Sequence, residues 1–264
     1  MELIAGYCGA FVIGLTLGLM GSGGSILTVP LLVYVFCIDP VIATAYSLFI
    51  VGTTSAFGTF KNHLNNNVAF KTGLIIALPS FLSVYLTRKY IVTQLPETLE
   101  WQGMALQRHT FIMVLFAVVM ALAAASMLFR KFDNEEASVP KKMKYIVLLP
   151  YIAFIGIIMG LVGAGGGFLI IPMLVFFGGL AIKKAVGTSL FIITLNALMG
   201  FSGDVQRIPV DWGFLLPFTL ISVFGIFAGT YLHKFVNEVQ LKKGFGIFVL
   251  AMALFILSKE ILGY

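Results

Sequence analysis

The sequence predicts an all-α polytopic membrane protein made of two inverted repeats of about five helical segments, each with a broken or re-entrant glycine-rich helix. Three observations predict this class: an apolar composition, a series of long apolar runs, and a glycine motif that occurs twice. The 264 residues are 59% hydrophobic and only 11% charged, with a mean hydropathy of +1.03. Soluble domains carry about 25% charged residues, so this chain cannot cover a water-facing surface. Its surroundings are therefore predicted to be the lipid bilayer.

Apolar runs fill the chain, and most approach the roughly 20 residues that cross a bilayer as a helix. Two shorter runs, 25–38 and 168–182, directly follow the glycine motifs. Because the runs are rich in Phe and Leu and do not alternate strictly, helices are favoured over a membrane barrel. The longer runs lie at about 2–20, 42–60, 68–87, 106–129, 145–162, 185–201, 212–232 and 244–258.

The glycine motif reads GLMGSGGSILTVPLL at 18–32 and GLVGAGGGFLIIPML at 160–174. The two halves align without a gap at an offset of 142, and residues 14–50 share 15 of 37 positions with residues 156–192. Chance similarity between apolar stretches would produce matches of Leu and Val, but not a register of four glycines and a proline. The chain is therefore interpreted as an internal duplication.

The duplication divides the chain into a first membrane repeat at 1–129, a cytoplasmic linker at 130–144 and a second membrane repeat at 145–264. If each short segment turns back, three full crossings follow in each half, and the halves lie in opposite orientations. A cytoplasmic linker then places 12 of the 17 Lys and Arg residues inside, as the positive-inside rule requires. The basic residues expected outside are Arg88, Lys89, Arg108, Arg207 and Lys259.

The short segments contain about 14 residues, or roughly 21 Å of helix, which is too short to span about 30 Å comfortably. A helix that starts after a glycine cluster has free N–H groups, and glycine lets a ligand approach the backbone closely. Two such starts facing each other would present about +0.5 charge each, which suits a small anion without a buried arginine. All 11 Asp and Glu residues lie at segment ends or in loops, whereas cation carriers usually place carboxylates mid-membrane.

The predicted substrate site consists of the glycine clusters and of neutral hydrogen-bonding groups near them. No catalytic residue, cofactor or metal ligand is predicted. A nucleic-acid partner is not predicted either, because the basic residues lie in short loops where membrane topology requires them. The predicted site glycines are Gly21, Gly23, Gly24, Gly163, Gly165, Gly166 and Gly167. The predicted hydroxyl and amide groups are Ser22, Ser25, Ser47, Thr53, Thr54, Thr188, Ser189 and Asn196.

Three further glycine pairs have the G-x-x-x-G spacing of close helix packing: Gly14/Gly18, Gly156/Gly160 and Gly225/Gly229. These glycine faces can pack within one chain or between two chains. A homo-oligomer is therefore one of the two arrangements that these faces allow.

The motif G-x-G-G-(S/G)-x-L-x-x-P-x-L at 21–32 and 163–174, with A-V-G-T-S-L-F at 185–191, resembles the TauE/SafE family of sulfite and organosulfonate exporters. The resemblance covers about residues 5–262. It implies a multi-pass permease of the bacterial inner membrane that exports small sulfur-containing anions, such as sulfite or sulfoacetate. In the first copy the last motif reads A-T-A-Y-S-L at 43–48. Its role there would fall to Ala45 and Tyr46, so the site need not be symmetric.

Two alternatives to transport stay open. Residues 200–203 read G-F-S-G, as in intramembrane serine proteases, with Ser202 as the nucleophile. Catalysis would need a histidine within hydrogen-bond reach, but about 20 helical residues, roughly 30 Å, separate the predicted level of Ser202 from that of His233. A membrane assembly factor without transport is the second alternative. The polar residues grouped after the glycine clusters argue against it.

Overall fold

The computed structural model describes the backbone of residues 2–262, apart from residues 22, 97, 102–103, 130–144, 164, 177, 234 and 236–237. Its helices are α1 (Glu2–Met20), α2 (Thr28–Tyr34), α3 (Pro40–Leu64), α4 (Phe70–Leu86), α5 (Arg108–Phe129), α6 (Tyr145–Val162), α7 (Gly167–Phe176), α8 (Ile182–Asp204), α9 (Trp212–Leu232) and α10 (Glu238–Leu262). A 3-10 turn (Gly23–Leu27) precedes α2, and a π turn (Thr87–Ile91) extends α4. Strands β1 (Thr98–Trp101) and β2 (Met104–Gln107) form an antiparallel hairpin before α5.

The predicted all-α membrane class is confirmed, and the short hairpin in the loop before α5 is an addition to it. Five described helices are long and apolar enough to cross a bilayer: Pro40–Leu64, Phe70–Ile91, Arg108–Ser126, Lys183–Asp204 and Trp212–Leu232. Large apolar side chains stand exposed on the outside of the bundle, among them Leu122 (65%), Phe154 (60%) and Phe224 (65%). An apolar surface of this kind belongs in lipid. The predicted linker at 130–144 and the predicted site residue Ser22 lie outside the described residues.

The helices break at both glycine clusters, as predicted. α1 ends at Met20 and is followed by Gly21 with φ +73°, while α6 ends at Val162 and is followed by Gly163 with φ +69°. Gly165 (+64°) and Gly166 (+59°) are also left-handed. Residues with a Cβ rarely adopt this conformation, so the glycines are what allows the chain to reverse here.

After the first break the chain folds back along α1. Gly24 packs against Thr16 and Leu17, and further along Leu31 packs against Gly9. In the second half Gly166 packs against Met159 in the same manner. The short segment of the first half therefore lies beside α1, whereas α7 packs mainly on α8.

The helices of the two halves begin at equivalent positions. α8 starts at Ile182 and α9 at Trp212, each 142 residues after the starts of α3 (Pro40) and α4 (Phe70). α7 starts at Gly167, the position predicted from the glycine cluster, whereas its counterpart α2 starts at Thr28 rather than near Ser25. A 3-10 turn occupies the first residues there, as is common at helix N-termini.

Each half packs one of its helices against the other half. α1 packs on α9, and its counterpart α6 packs on α4. The glycine pairs make these contacts possible: the Cα of Gly14 lies 3.0 Å from where a Cβ on Gly225 would stand. On the other side, a Cβ on Gly160 would lie 2.8 Å from Thr87 Cβ. The small-residue faces thus pack within one chain.

α3 and α8 form the centre of the bundle. In the most apolar stretch of each helix, 67% of α3 and 61% of α8 is buried, against 33% of α4. Residues near the end of α8 contact residues near the start of α3, since Gly200 packs on Leu48 and Leu198 packs on Gly52. Towards the other end of α3, Gly187 meets Asn62. The residue numbers change in opposite directions, so α3 and its counterpart α8 run antiparallel.

Candidate functional site

One face of α3 lies against the second glycine cluster. A side-chain carbon at Gly165 would lie 2.9 Å from Val51 Cγ1 on α3 and 3.0 Å from Ile193 Cγ2 on α8, so the turn inserts between the two central helices. Ser47 and Thr54 lie within about 60° of Val51 around the helix axis. This face, formed by Thr44, Ser47, Val51, Thr54 and Ser55, is called the α3 hydroxyl face below, and all five residues are buried.

Three hydroxyls on the α3 hydroxyl face have no hydrogen-bond partner. These are Ser47 Oγ, Thr54 Oγ1 and Ser55 Oγ, and Thr28 Oγ1 at the start of α2 is unpartnered as well. By contrast, the Thr59 hydroxyl, one turn after Ser55, donates to the Ser55 carbonyl at 2.8 Å. An unsatisfied buried polar group costs about 1–3 kcal/mol, so three such hydroxyls on one helix face make this face a candidate for receiving a polar ligand.

A buried ion pair lies at one end of the same face. Arg88, in the π turn after α4, is completely buried, and its Nη1 donates to Thr44 Oγ1 at 3.1 Å. The same nitrogen lies 3.2 Å from Asp204 Oδ2 at the end of α8, an ion-pair distance without the alignment of a hydrogen bond. Nε and Nη2 of Arg88 have no partner. Nη2 lies 2.7 Å from where a Cβ on Gly163 would stand.

This ion pair differs from the sequence-based expectation. Arg88 was expected in an outer loop, and the predicted site needed no buried arginine. In the structure α4 continues through Arg88 as a π turn up to Ile91, and the guanidinium turns inward. A signal was present in the apolar residues Tyr90, Ile91 and Val92, which extend the run beyond the basic pair. Asp204 carried no such signal.

Thr188, a predicted site residue in α8, makes a hydrogen bond to the loop before α4. Its Oγ1 accepts the backbone N–H of Ala69, before α4, at 3.0 Å. At the equivalent place in the other half, the backbone N–H of Asp211, before α9, donates to the Tyr46 hydroxyl at 2.7 Å. Both pairs are related by the offset of 142. The two versions of the motif, with Thr188 and with Tyr46, therefore perform the same structural task with different side chains.

The remaining predicted side chains are placed as follows. The Ser189 hydroxyl donates to the Val186 carbonyl of its own helix at 2.8 Å. Asn196 Oδ1 accepts the Ser80 hydroxyl at 2.9 Å, and its Nδ2 lies 3.7 Å from Met159 Sδ, so it links α8 to α4 and α6. Thr53 is half-buried and lies about 200° from Val51, on the opposite side of α3.

The first glycine cluster lies at the opposite end of α8. Gly21 packs against Val186, near the start of that helix, and Ser25 is completely buried within the 3-10 turn. This turn also contacts α7, so the two re-entrant segments meet in the protein interior. Of the predicted side chains, the structure brings Ser47 and Thr54 to the second glycine cluster and leaves their hydroxyls free of partners. It adds Thr28, Thr44, Ser55, Arg88 and Asp204, which the sequence-based site did not contain.

The family follows from comparison with known proteins. The family model for the sulfite exporter TauE/SafE matches residues 7–256 of the chain, which is nearly its whole length. The chain belongs to the TauE/SafE sulfite exporter family. The predicted membership is confirmed, and with it the transport class.

Curated relatives of this family are named probable membrane transporter proteins. One from Xylella fastidiosa is 27% identical over 94% of this chain and 92% of its own length, and one from Bacillus subtilis is 26% identical over 88% and 91%. A third, from Methanocaldococcus jannaschii, is 34% identical over 43% of this chain and 46% of its own length. No solved structure matches the chain. The protein is thus a multi-pass membrane transporter.

The protease alternative has no support in the geometry. The Ser202 hydroxyl donates to the Met199 carbonyl of its own helix at 2.7 Å. His233 follows the far end of α9, about 30 Å of helix away from the loop that joins α9 to α8. Among the described residues, no group of three or more His, Cys, Asp or Glu side chains could hold a metal ion.

Proposed function

We propose that the protein is a permease for small sulfur-containing anions, such as sulfite or a sulfonate, and that the anion binds between the α3 hydroxyl face and the second glycine cluster. One observation carries this proposal: buried hydroxyls without partners, including those of Ser47 and Thr54, lie on the face of α3 that the glycine turn contacts. A ligand that accepts hydrogen bonds would satisfy them. The sulfur chemistry comes from the family description and not from the site itself.

The start of α7 supports a negative charge on the ligand. α7 has ten residues, and the first N–H groups of a helix have no partner within it. Their partial positive charge, about +0.5 for a full helix, favours an anion. The left-handed glycines before it lack side chains, so a ligand can approach this backbone closely.

The packing of the two halves supports an inverted repeat. α3 runs antiparallel to its counterpart α8, and α1 and α6 exchange partners between the halves. Inverted repeats with interrupted helices are how many transporters build a midplane site and rock around it. We propose alternating access of this kind, with export as the direction.

The basic residues agree with such an arrangement. At one end of the bundle, Arg207 Nη1 donates to the Lys89 carbonyl at 2.7 Å beside Arg88, and Lys259 lies over the Tyr34 ring. At the opposite end, Lys61 and Lys71 flank the α3–α4 loop and Lys183 and Lys184 begin α8. By the positive-inside rule this second end is proposed to face the cytoplasm.

Transport by the purified protein in proteoliposomes tests the function. Radiolabelled sulfite on one side should exchange with unlabelled sulfite on the other, and sulfoacetate should compete more strongly than chloride. Taurine, which carries an amine as well as a sulfonate, separates recognition of the anionic group from recognition of net charge. If none of these anions moves faster than in empty liposomes, the proposed function is wrong.

Thr54→Val separates a ligand-binding hydroxyl from a structural one. Because Thr54 Oγ1 has no partner, a valine of similar shape should leave the thermal unfolding midpoint unchanged or slightly higher. Sulfite exchange should fall about tenfold, as expected when a charged ligand loses a hydrogen bond of about 1.5 kcal/mol. Thr59→Val is the matched control, since the Thr59 hydroxyl is satisfied by its own helix. Unchanged exchange in Thr54→Val would remove this hydroxyl from the site.

A further inference from the structure

We propose that Arg88 binds the oxygen atoms of the transported anion through its Nε–Nη2 edge, and that Asp204 compensates the guanidinium charge from the Nη1 side while no anion is bound. This inference rests on the proposed function and adds to it the residue that recognises the charge. Four observations lead to it: the unsatisfied donors of Arg88, the poor alignment of its ion pair, the space left by Gly163, and the neutral residues at the positions equivalent by the offset of 142.

The Arg88 guanidinium has unsatisfied N–H donors that are buried away from water. It is completely buried; Nη1 donates to Thr44 Oγ1 and lies at ion-pair distance from Asp204, while Nε and Nη2 have no partner. Nε and Nη2 form one edge of the planar guanidinium, which is the edge that binds two oxygens of a carboxylate or sulfur oxyanion at once. A halide is a single acceptor atom and cannot form the two parallel hydrogen bonds that a pair of oxygens makes with this edge.

Asp204 contacts only one of the three guanidinium nitrogens. The carboxylate approaches Nη1 at 3.2 Å but does not reach the Nε–Nη2 edge, and Oδ2 lacks an aligned hydrogen bond. An ion pair retained for stability alone would favour the bidentate arrangement. The observed pair keeps the buried charge compensated and leaves the recognising edge open.

Gly163 provides the room for this edge. Nη2 lies 2.7 Å from where a Cβ at this position would stand, so any side chain there would displace the guanidinium. Gly163 also begins the turn that leads to Gly165 and the start of α7. Arg88 therefore lies beside the second glycine cluster, and it is bonded to Thr44 of the α3 hydroxyl face.

The positions equivalent to Arg88 and Asp204 carry neutral residues. At the offset of 142, Arg88 corresponds to Thr230, and Asp204 corresponds to Asn62. Both counterparts are satisfied within their own helices, Thr230 by the Ile226 carbonyl and Asn62 by the Gly58 carbonyl. The equivalent positions thus carry neutral side chains that are satisfied locally. The buried ion pair therefore lies at one end of the bundle, and its equivalent positions are uncharged.

Equilibrium binding of radiolabelled sulfite to the detergent-purified protein tests the proposal without requiring transport. Arg88→Lys keeps the charge but loses the fork, and should raise the dissociation constant about tenfold or more. Arg207→Gln removes an exposed charge at the same end and should change it less than about twofold. Asp204→Asn removes a negative charge beside the guanidinium and should tighten anion binding at least about threefold, because repulsion between the carboxylate and the anion is lost.

Each outcome decides the matter. Wild-type affinity in Arg88→Lys, or weaker binding in Asp204→Asn, overturns the proposal even if proteoliposomes transport sulfite. If Arg88→Lys does not fold, competition on the wild type decides: sulfoacetate should displace sulfite, whereas chloride at the same concentration should not. Equal displacement by chloride overturns the oxyanion fork. Binding that depends on Arg88, combined with no transport in liposomes, would uphold the inference and reject the permease.

Discussion

Gly18→Leu is expected to prevent α1 from packing on α9 and to destabilise the protein by at least about 3 kcal/mol, the upper end of overpacking costs. A Cβ at Gly18 would lie 2.7 Å from the backbone nitrogen of Thr230 and 2.9 Å from the carbonyl carbon of Gly229. Both are main-chain atoms of α9 and cannot rotate away as a side chain could. The two helices must therefore separate, and the small-residue packing that joins the first half to the second is lost.

The unfolding midpoint in detergent, followed by tryptophan fluorescence or by size-exclusion chromatography after heating, measures this loss. Gly244→Leu is the matched control. Gly244 lies on α10 with open space around the position of its Cβ, so the same substitution should change stability by less than about 0.5 kcal/mol. Similar midpoints for the two variants would contradict the close packing of α1 on α9.

Asp204→Ala is expected to destabilise the protein by about 3–5 kcal/mol, because it leaves the Arg88 guanidinium buried without a counter-ion. Both groups are almost completely removed from solvent, with side chains 0% and 5% exposed. The cost arises from the uncompensated charge and not from a lost contact. Replacing both residues, as in Arg88→Leu with Asp204→Leu, should therefore cost less than Asp204→Ala alone.

Asp211→Ala provides the comparison for this prediction. Asp211 is exposed and caps α9 by accepting the Phe214 N–H at 3.2 Å, so its loss should cost only about 1 kcal/mol. A thermal unfolding series of the four proteins in detergent separates the cases. If the double variant is less stable than Asp204→Ala, the ion pair is a structural requirement and not a local compensation of charge.

The positions of the helix breaks were predictable because they depend on local backbone chemistry. The clusters that end at Gly24 and Gly167 combine low helix propensity with conformations that only glycine adopts readily, and the duplication shows them twice. The starts of α8 and α9 follow from the same offset. In the structure Thr188 Oγ1 accepts the Ala69 N–H, a bond that joins α8 to the distant loop before α4. No local pattern announces such a bond.

The burial of Arg88 was not predictable for a similar reason. A basic residue at the end of an apolar run usually lies in a loop and reports topology. Whether it turns inward depends on the residues it meets there, and these come from α3, α8 and the turn after α6. Ser47 and Thr54 were predicted because hydroxyls within an apolar run of membrane-spanning length stand out in the sequence. Their lack of partners became visible only in the structure.

The location of a bound anion tests the central claim most directly. Selenite has the shape and charge of sulfite, and its selenium scatters anomalously, so crystals grown with selenite would mark the site. The expected result is a selenium peak within hydrogen-bond distance of the turn from Gly163 to Gly167 and of the α3 hydroxyl face. Peaks confined to surface lysines such as Lys61 and Lys184, with that interior site empty at saturating selenite, would contradict it.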